Sequence, residues 1–146
     1  MHPFPHTYQA SASAQPTTTV AVASPGLPGL NTDAPAEFDG PGDLWSPETL
    51  LTAAVADCFV LTFRGIAKAS RLEWNALDCY AEGTLDRVER VTRFSAFRIV
   101  AELRLPRGSD AEQAEKLLHK AERSCLITNS FVAETTLETR VVVDAG

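Results

Sequence analysis

The stretch Ser46-Pro-Glu-Thr-Leu-Leu-Thr-Ala-Ala-Val-Ala-Asp-Cys58-Phe-Val-Leu-Thr-Phe-Arg64 constrains this chain more than any other. Ser46 suits a helix N-cap, and Pro47 suits the first helical position, where a missing N–H costs nothing. Glu48 puts a carboxylate in the first turn, where the helix dipole favours it. From Leu50 to Phe63 only Thr52, Asp57 and Thr62 interrupt apolar or small residues. A helix apolar nearly all round is buried. The run is short and interrupted for a bilayer span. The expectation is therefore a central helix, from about Pro47 to Ser70, in a soluble domain with Cys58 held inside.

Composition narrows the class. The chain has 146 residues and is 45% hydrophobic, enough for one globular domain with a real core. A single domain over residues 1–146 is expected, with 1–15 as its flexible end. The net charge of −6 argues against a nucleic-acid binder. Residues 1–63 hold six carboxylates and no Lys or Arg, whereas the remainder balances 13 acidic against 13 basic residues. Cys58, Cys79 and Cys125 form no CxxC pair, so structural zinc is not expected. So few cysteines do not make a disulfide-stapled secreted fold either. The first residues lack the basic and apolar regions of a signal peptide, which makes the cytoplasm the expected compartment.

The other elements follow from periodicity. Residues 8–23 alternate loosely about Gln15-Pro16 and suggest a weak hairpin. Ser24 to Gly42 is punctuated by Pro and Gly and reads as loop. Trp74 to Leu85 and Thr92 to Leu105 suggest an antiparallel hairpin, with Asp86 to Arg90 as its connection. Leu77, Cys79 and Ala81 share one face, as do Phe97, Ile99, Ala101, Leu103 and Leu105. Ser109-Asp-Ala-Glu112 has the form of a capping box opening a second helix to about Arg123. Ala114, Leu117, Leu118 and Ala121 form its apolar stripe. Phe131 to Val143 reads as a last strand. Hairpin, helix, hairpin, helix, strand is an α+β order.

The chemistry centres on the thiols. A cysteine in an apolar helix is commonly a small hydrophobe, and burial makes a thiol inert. Reactivity of Cys58 would need a cation supplied by the fold. Glu48 does not reach Cys58 along a straight helix, because ten residues give roughly 15 Å of rise. Cys125 is either a buried junction residue or a resolving thiol that captures an oxidised Cys58. Cys79, on an apolar strand face, reads as inert. His2, His6 and His119 have no metal-ligand spacing.

At these residues a family emerges. Pro47 to Phe59 resembles the first cysteine motif of the OsmC/Ohr proteins. Glu82-Gly-Thr-Leu-Asp-Arg87 with Thr92-Arg-Phe94 resembles the central hairpin of an OsmC-like branch. Ala121-Glu-Arg-Ser-Cys125-Leu-Ile-Thr-Asn-Ser130 resembles the second cysteine motif. The resemblance implies an OsmC-like α+β fold: two main helices packed with antiparallel sheets in an intertwined homodimer. It implies thiol-dependent reduction of organic hydroperoxides, without metal or organic cofactor, and an external dithiol reductant. Cys58 would be the peroxidatic thiol and Cys125 the resolving one. Glu48 matches the family glutamate that helps hold a catalytic arginine. The well-studied members take that arginine from the N-terminal hairpin, but here no Lys or Arg precedes Arg64. Either Arg64, Arg93 or Arg98 substitutes, or Cys58 is not strongly activated. Two rivals stay open: a dimeric small-molecule-binding protein on the same scaffold, and a structural dimer with inert cysteines. None of the three calls for a nucleic acid or a membrane.

Overall fold

A computed structural model describes residues 1–145. The chain divides into two compact units, Met1–Leu50 and Leu51–Gly146.

In the first unit, β1 (Ser11–Ser13), β2 (Val20–Ala23) and β3 (Leu30–Thr32) form an antiparallel sheet in that order. The hairpin expected from the alternation is present. The stretch expected as loop contributes a third strand, with Val20 opposite Thr32 and Val22 opposite Leu30. Only three residues long, β3 has no alternation of its own to read; it is held by pairing with β2 and by the Thr32–Trp45 bridge. A short 3-10 turn follows at Ala36–Phe38. Gly40 is obligatory there, since a Cβ would sit 1.7 Å from the Ala34 carbonyl oxygen.

Helix α1 spans Pro47–Ala69. Its start is a reciprocal cap. The Thr49 N–H donates to Ser46 Oγ at 3.1 Å, and the Ser46 N–H donates to Thr49 Oγ1 at 2.8 Å. Such a cap contributes about 1 kcal/mol. At the other end Arg71 takes a left-handed φ of 56°. The Leu72 N–H then reaches Ala67 O at 2.9 Å and the Arg71 N–H reaches Lys68 O at 3.2 Å, a Schellman closure with arginine where glycine is usual. At 23 residues α1 is long and apolar enough to cross a membrane by length and composition alone, contrary to the expectation that the run is too short. Its Val55, Phe59, Phe63 and Ala67, spaced one turn apart, are nevertheless fully buried in the core of the second unit.

That core lies against the second sheet, ordered β4-β5-β6. Strands β4 (Ala76–Val88) and β5 (Val91–Leu105) are antiparallel, with Leu77 opposite Leu103, Cys79 opposite Ala101 and Ala81 opposite Ile99. The expected connection shrinks to Glu89-Arg90, both at positive φ (52° and 68°), because Asp86 and Arg87 stay in the ladder opposite Arg93 and Thr92. The register shifts between Thr84 and Leu85, so that Ser95 is the extra residue on β5. The shift brings Phe94 onto the same face as Phe97, where the two rings stack with centroids 5.0 Å apart. Gly83 lies beneath them. A Cβ there would meet Phe97 Cε1 at 2.8 Å, Phe94 Cε1 at 2.9 Å and Thr52 Oγ1 of α1 at 3.0 Å.

Helix α2 spans Ala111–Ser124 and buries Ala114, Leu118 and Ala121. Its cap is Asp110, which accepts from the Gln113 N–H, rather than the expected Ser109, whose hydroxyl donates to Pro106 O. The N-cap is thus displaced by one residue. Strand β6 (Glu134–Val143) pairs parallel to β5, so the second sheet is mixed and not antiparallel as expected. A parallel return needs a crossover of this length, and α2 supplies it.

Candidate functional site

Cys58 lies on α1 between the buried turns of Val55 and Phe59, turned partly away from the core. Thr62, one helical turn on, faces the same way, and its Oγ1 lies 3.7 Å from Cys58 Sγ in hydrogen-bond contact. Cys125 is the C-cap of α2, with extended backbone (φ −68°, ψ 111°) and its N–H on Glu122 O. It is fully buried. Its carbonyl accepts from the Asn129 N–H at 3.0 Å and the Thr128 hydroxyl at 3.2 Å, which ties the segment beyond α2 into a tight turn.

The packing of the second unit brings Cys125 close enough to Cys58 for the two thiols to interact. Burial pushes the Cys125 thiol up from its ordinary value; hydrogen bonds from Thr128 pull the other way, and the contact with Cys58 adds to the rise. Cys79 lies inward on β4. Burial first, and Cys125 second, push its thiol up to about 11.

Cys58 opens onto a cavity of about 450 Å³ lined by Ala54, Asp57, Leu61 and Thr62 of α1 and by Leu126 and Ile127 beyond α2. The lining is mostly apolar. Asp57 is its one acidic side chain, and no Lys or Arg belongs to it. A second cavity, of about 580 Å³ in the first unit, is lined by Leu30, Asn31, Trp45 and neighbours and contains no thiol. Among the described residues no group of three or more His, Cys, Asp or Glu is spaced to hold a metal ion.

Glu48 stands in the first turn of α1 and does not line the Cys58 cavity. Its Oε1 is shielded from solvent. Of the candidate arginines, Arg98 is on the outer face of β5, gripped by Glu138 through two contacts of 3.0 Å. That grip raises the Arg98 pKa and lowers that of Glu138. Arg64 and Arg93 are exposed, Arg93 opposite Asp86 on β4. None of the three lines the cavity. Sequence reading missed Thr62 and Asp57 as site residues. The signal for Thr62 was its spacing four residues from Cys58.

An α+β fold with a cysteine in the middle of its longest helix and a second thiol delivered to it from the end of the other helix defines a two-thiol protein class. Comparison places the chain within it. The sequence profile of the OsmC-like proteins matches residues 40–140, and the chain belongs to that family. It is 31% identical over 117 residues to YmaD of Bacillus subtilis (strain 168), an uncharacterised protein, covering 77% of each chain. It is 27% identical over 93 residues to the peroxiredoxin OsmC of Escherichia coli (strain K12), covering 64% of each. The crystal structure of an organic hydroperoxide resistance protein OsmC from Legionella pneumophila superposes with a TM-score of 0.76 at 24% identity, covering 97% of this chain and 100% of that one.

Proposed function

We propose that this protein is a cytoplasmic, dimeric thiol peroxidase that reduces organic hydroperoxides in oxidative-stress defence. The observation that carries the reading is the approach of Cys125 to Cys58, a residue far away in sequence that lines a mostly apolar cavity. Family membership, which includes the peroxiredoxin OsmC, supports it.

The steps follow from thiol chemistry. The Cys58 thiolate attacks the outer oxygen of ROOH; the O–O bond breaks, Cys58 becomes a sulfenic acid, and RO⁻ takes a proton to leave as ROH. The Cys125 sulfur, giving up its proton to the departing hydroxyl, then attacks the sulfenic sulfur; the S–O bond breaks, a disulfide forms and water leaves. An external dithiol reduces the disulfide and returns both thiols. Thr62 Oγ1 donates to the attacking sulfur and steadies it. Glu48 acts in this scheme from a second copy of the chain, holding whatever cation approaches the site. The exposed Leu61, on the open side of an otherwise apolar α1, is the kind of surface that a second copy would cover.

The test treats the reduced protein with cumene hydroperoxide, follows peroxide consumption and maps disulfides by mass spectrometry. Consumption with a Cys58–Cys125 link is expected. No consumption and no link would refute the reading. A non-catalytic, small-molecule-binding dimer is favoured by one observation, the absence of any Lys or Arg from the cavity lining. Saturable binding of an apolar ligand, unchanged by Cys58→Ser, would select it.

A further inference from the structure

We propose that Asp57 makes the Cys58 cavity selective by charge, so that it accepts neutral, apolar hydroperoxides and disfavours those bearing a carboxylate or other anionic group. The inference rests on the hydroperoxide reading above and adds a substrate class to it. Asp57 immediately precedes Cys58 on α1, a step of about 1.5 Å in rise and 100° in rotation, so carboxylate and sulfur share one mouth. The other lining side chains, Ala54, Leu61, Leu126 and Ile127, offer hydrocarbon, and Thr62 a neutral hydroxyl. Asp57 is exposed, and among the described residues no cation pairs with it. A second copy would not neutralise it from its N-terminal part either, because residues 1–63 contain no Lys or Arg. Within this lining an anion approaching Cys58 therefore meets a like charge with no cation beside it, and a neutral peroxide of the same shape does not.

The size follows from two unit charges facing each other across a partly wet mouth, a repulsion that corresponds to about a tenfold slower reaction and is weakened by salt. The experiment has two arms. The first needs no peroxidase activity: peptide-level mass spectrometry follows Cys58 alkylation by iodoacetamide and by anionic iodoacetate, each normalised to the urea-unfolded chain. The iodoacetamide preference should be about tenfold in the native protein and shrink at high salt. It should largely vanish in Asp57→Asn and persist in Asp57→Glu. The second arm compares a carboxylate-bearing hydroperoxide with its methyl ester, with the same pattern expected in the ratio of their rates. An unchanged alkylation preference in Asp57→Asn overturns the inference whatever the peroxides do. A lost preference with no reaction toward either peroxide supports the charge filter and removes the peroxidase reading instead.

Discussion

Linking Cys58 to Cys125 should stabilise the fold by an amount that the chain itself sets. The two thiols already lie close enough to interact in the reduced protein. It closes a loop of about 68 residues, and the loss of freedom in the unfolded chain corresponds to about 4 kcal/mol. Against this stands the thiol–thiol interaction that disappears, worth about 1 kcal/mol. The net, about 3 kcal/mol, should raise the melting midpoint of a chain this size by roughly 6–12 °C. The assay is a pair of thermal melts followed by circular dichroism. One sample is reduced; the other is oxidised with one equivalent of organic hydroperoxide and checked by mass spectrometry. Cys125→Ser, which cannot form the link, should show no rise. A fully linked sample melting within 2 °C of the reduced one would contradict the argument, as would the same rise in Cys125→Ser, because the two sulfurs would then not be poised for bonding as the packing implies.

Three further outcomes follow from individual contacts. Gly83→Ala forces a methyl group against the Phe94 and Phe97 ring edges and Thr52 Oγ1; urea titration should show a loss of about 1–2 kcal/mol, overpacking partly offset by the lower chain entropy of alanine. A stability equal to the parent would mean that the rings swing aside freely. Thr62→Val removes the hydroxyl beside Cys58 Sγ and should slow Cys58 alkylation at neutral pH about threefold to tenfold, with Thr62→Ser keeping the parent rate; equal rates in both variants would show that the contact does not matter to the sulfur. Cys79, with its thiol raised from 9.0 to about 11, should resist alkylation in the folded protein up to about pH 10. The unfolded chain loses that proton first, so folding stability should fall between pH 9 and about 11, and Cys79→Ala should flatten that fall.

The central helix, the main hairpin, the second helix and the last strand were legible in the letters because each carries its own period or its own terminator. Ser46-Pro47 opens α1, and the alternation from Phe97 to Leu105 is that of a strand with one buried face. Short-range signals failed where two neighbouring residues could do the same job, as at Ser109 and Asp110, or where pairing alone made a strand, as at Leu30–Thr32. The parallel pairing of β5 with β6 was not legible either, since direction depends on where α2 lays the chain down and not on the pattern within β6.

The same division holds at the site. Sequence by itself determined which residue types were available: three thiols, one of them in an apolar helix, and no cation in the first 63 residues. Tertiary structure decided which of them meet. Cys125 is brought near Cys58, Cys79 is half-buried on the sheet face, and Arg98 is taken by Glu138. Periodicity reports which way one side chain faces relative to its own element. The distance between two elements is a property of the packed core, to which many residues contribute at once, and no local stretch encodes it.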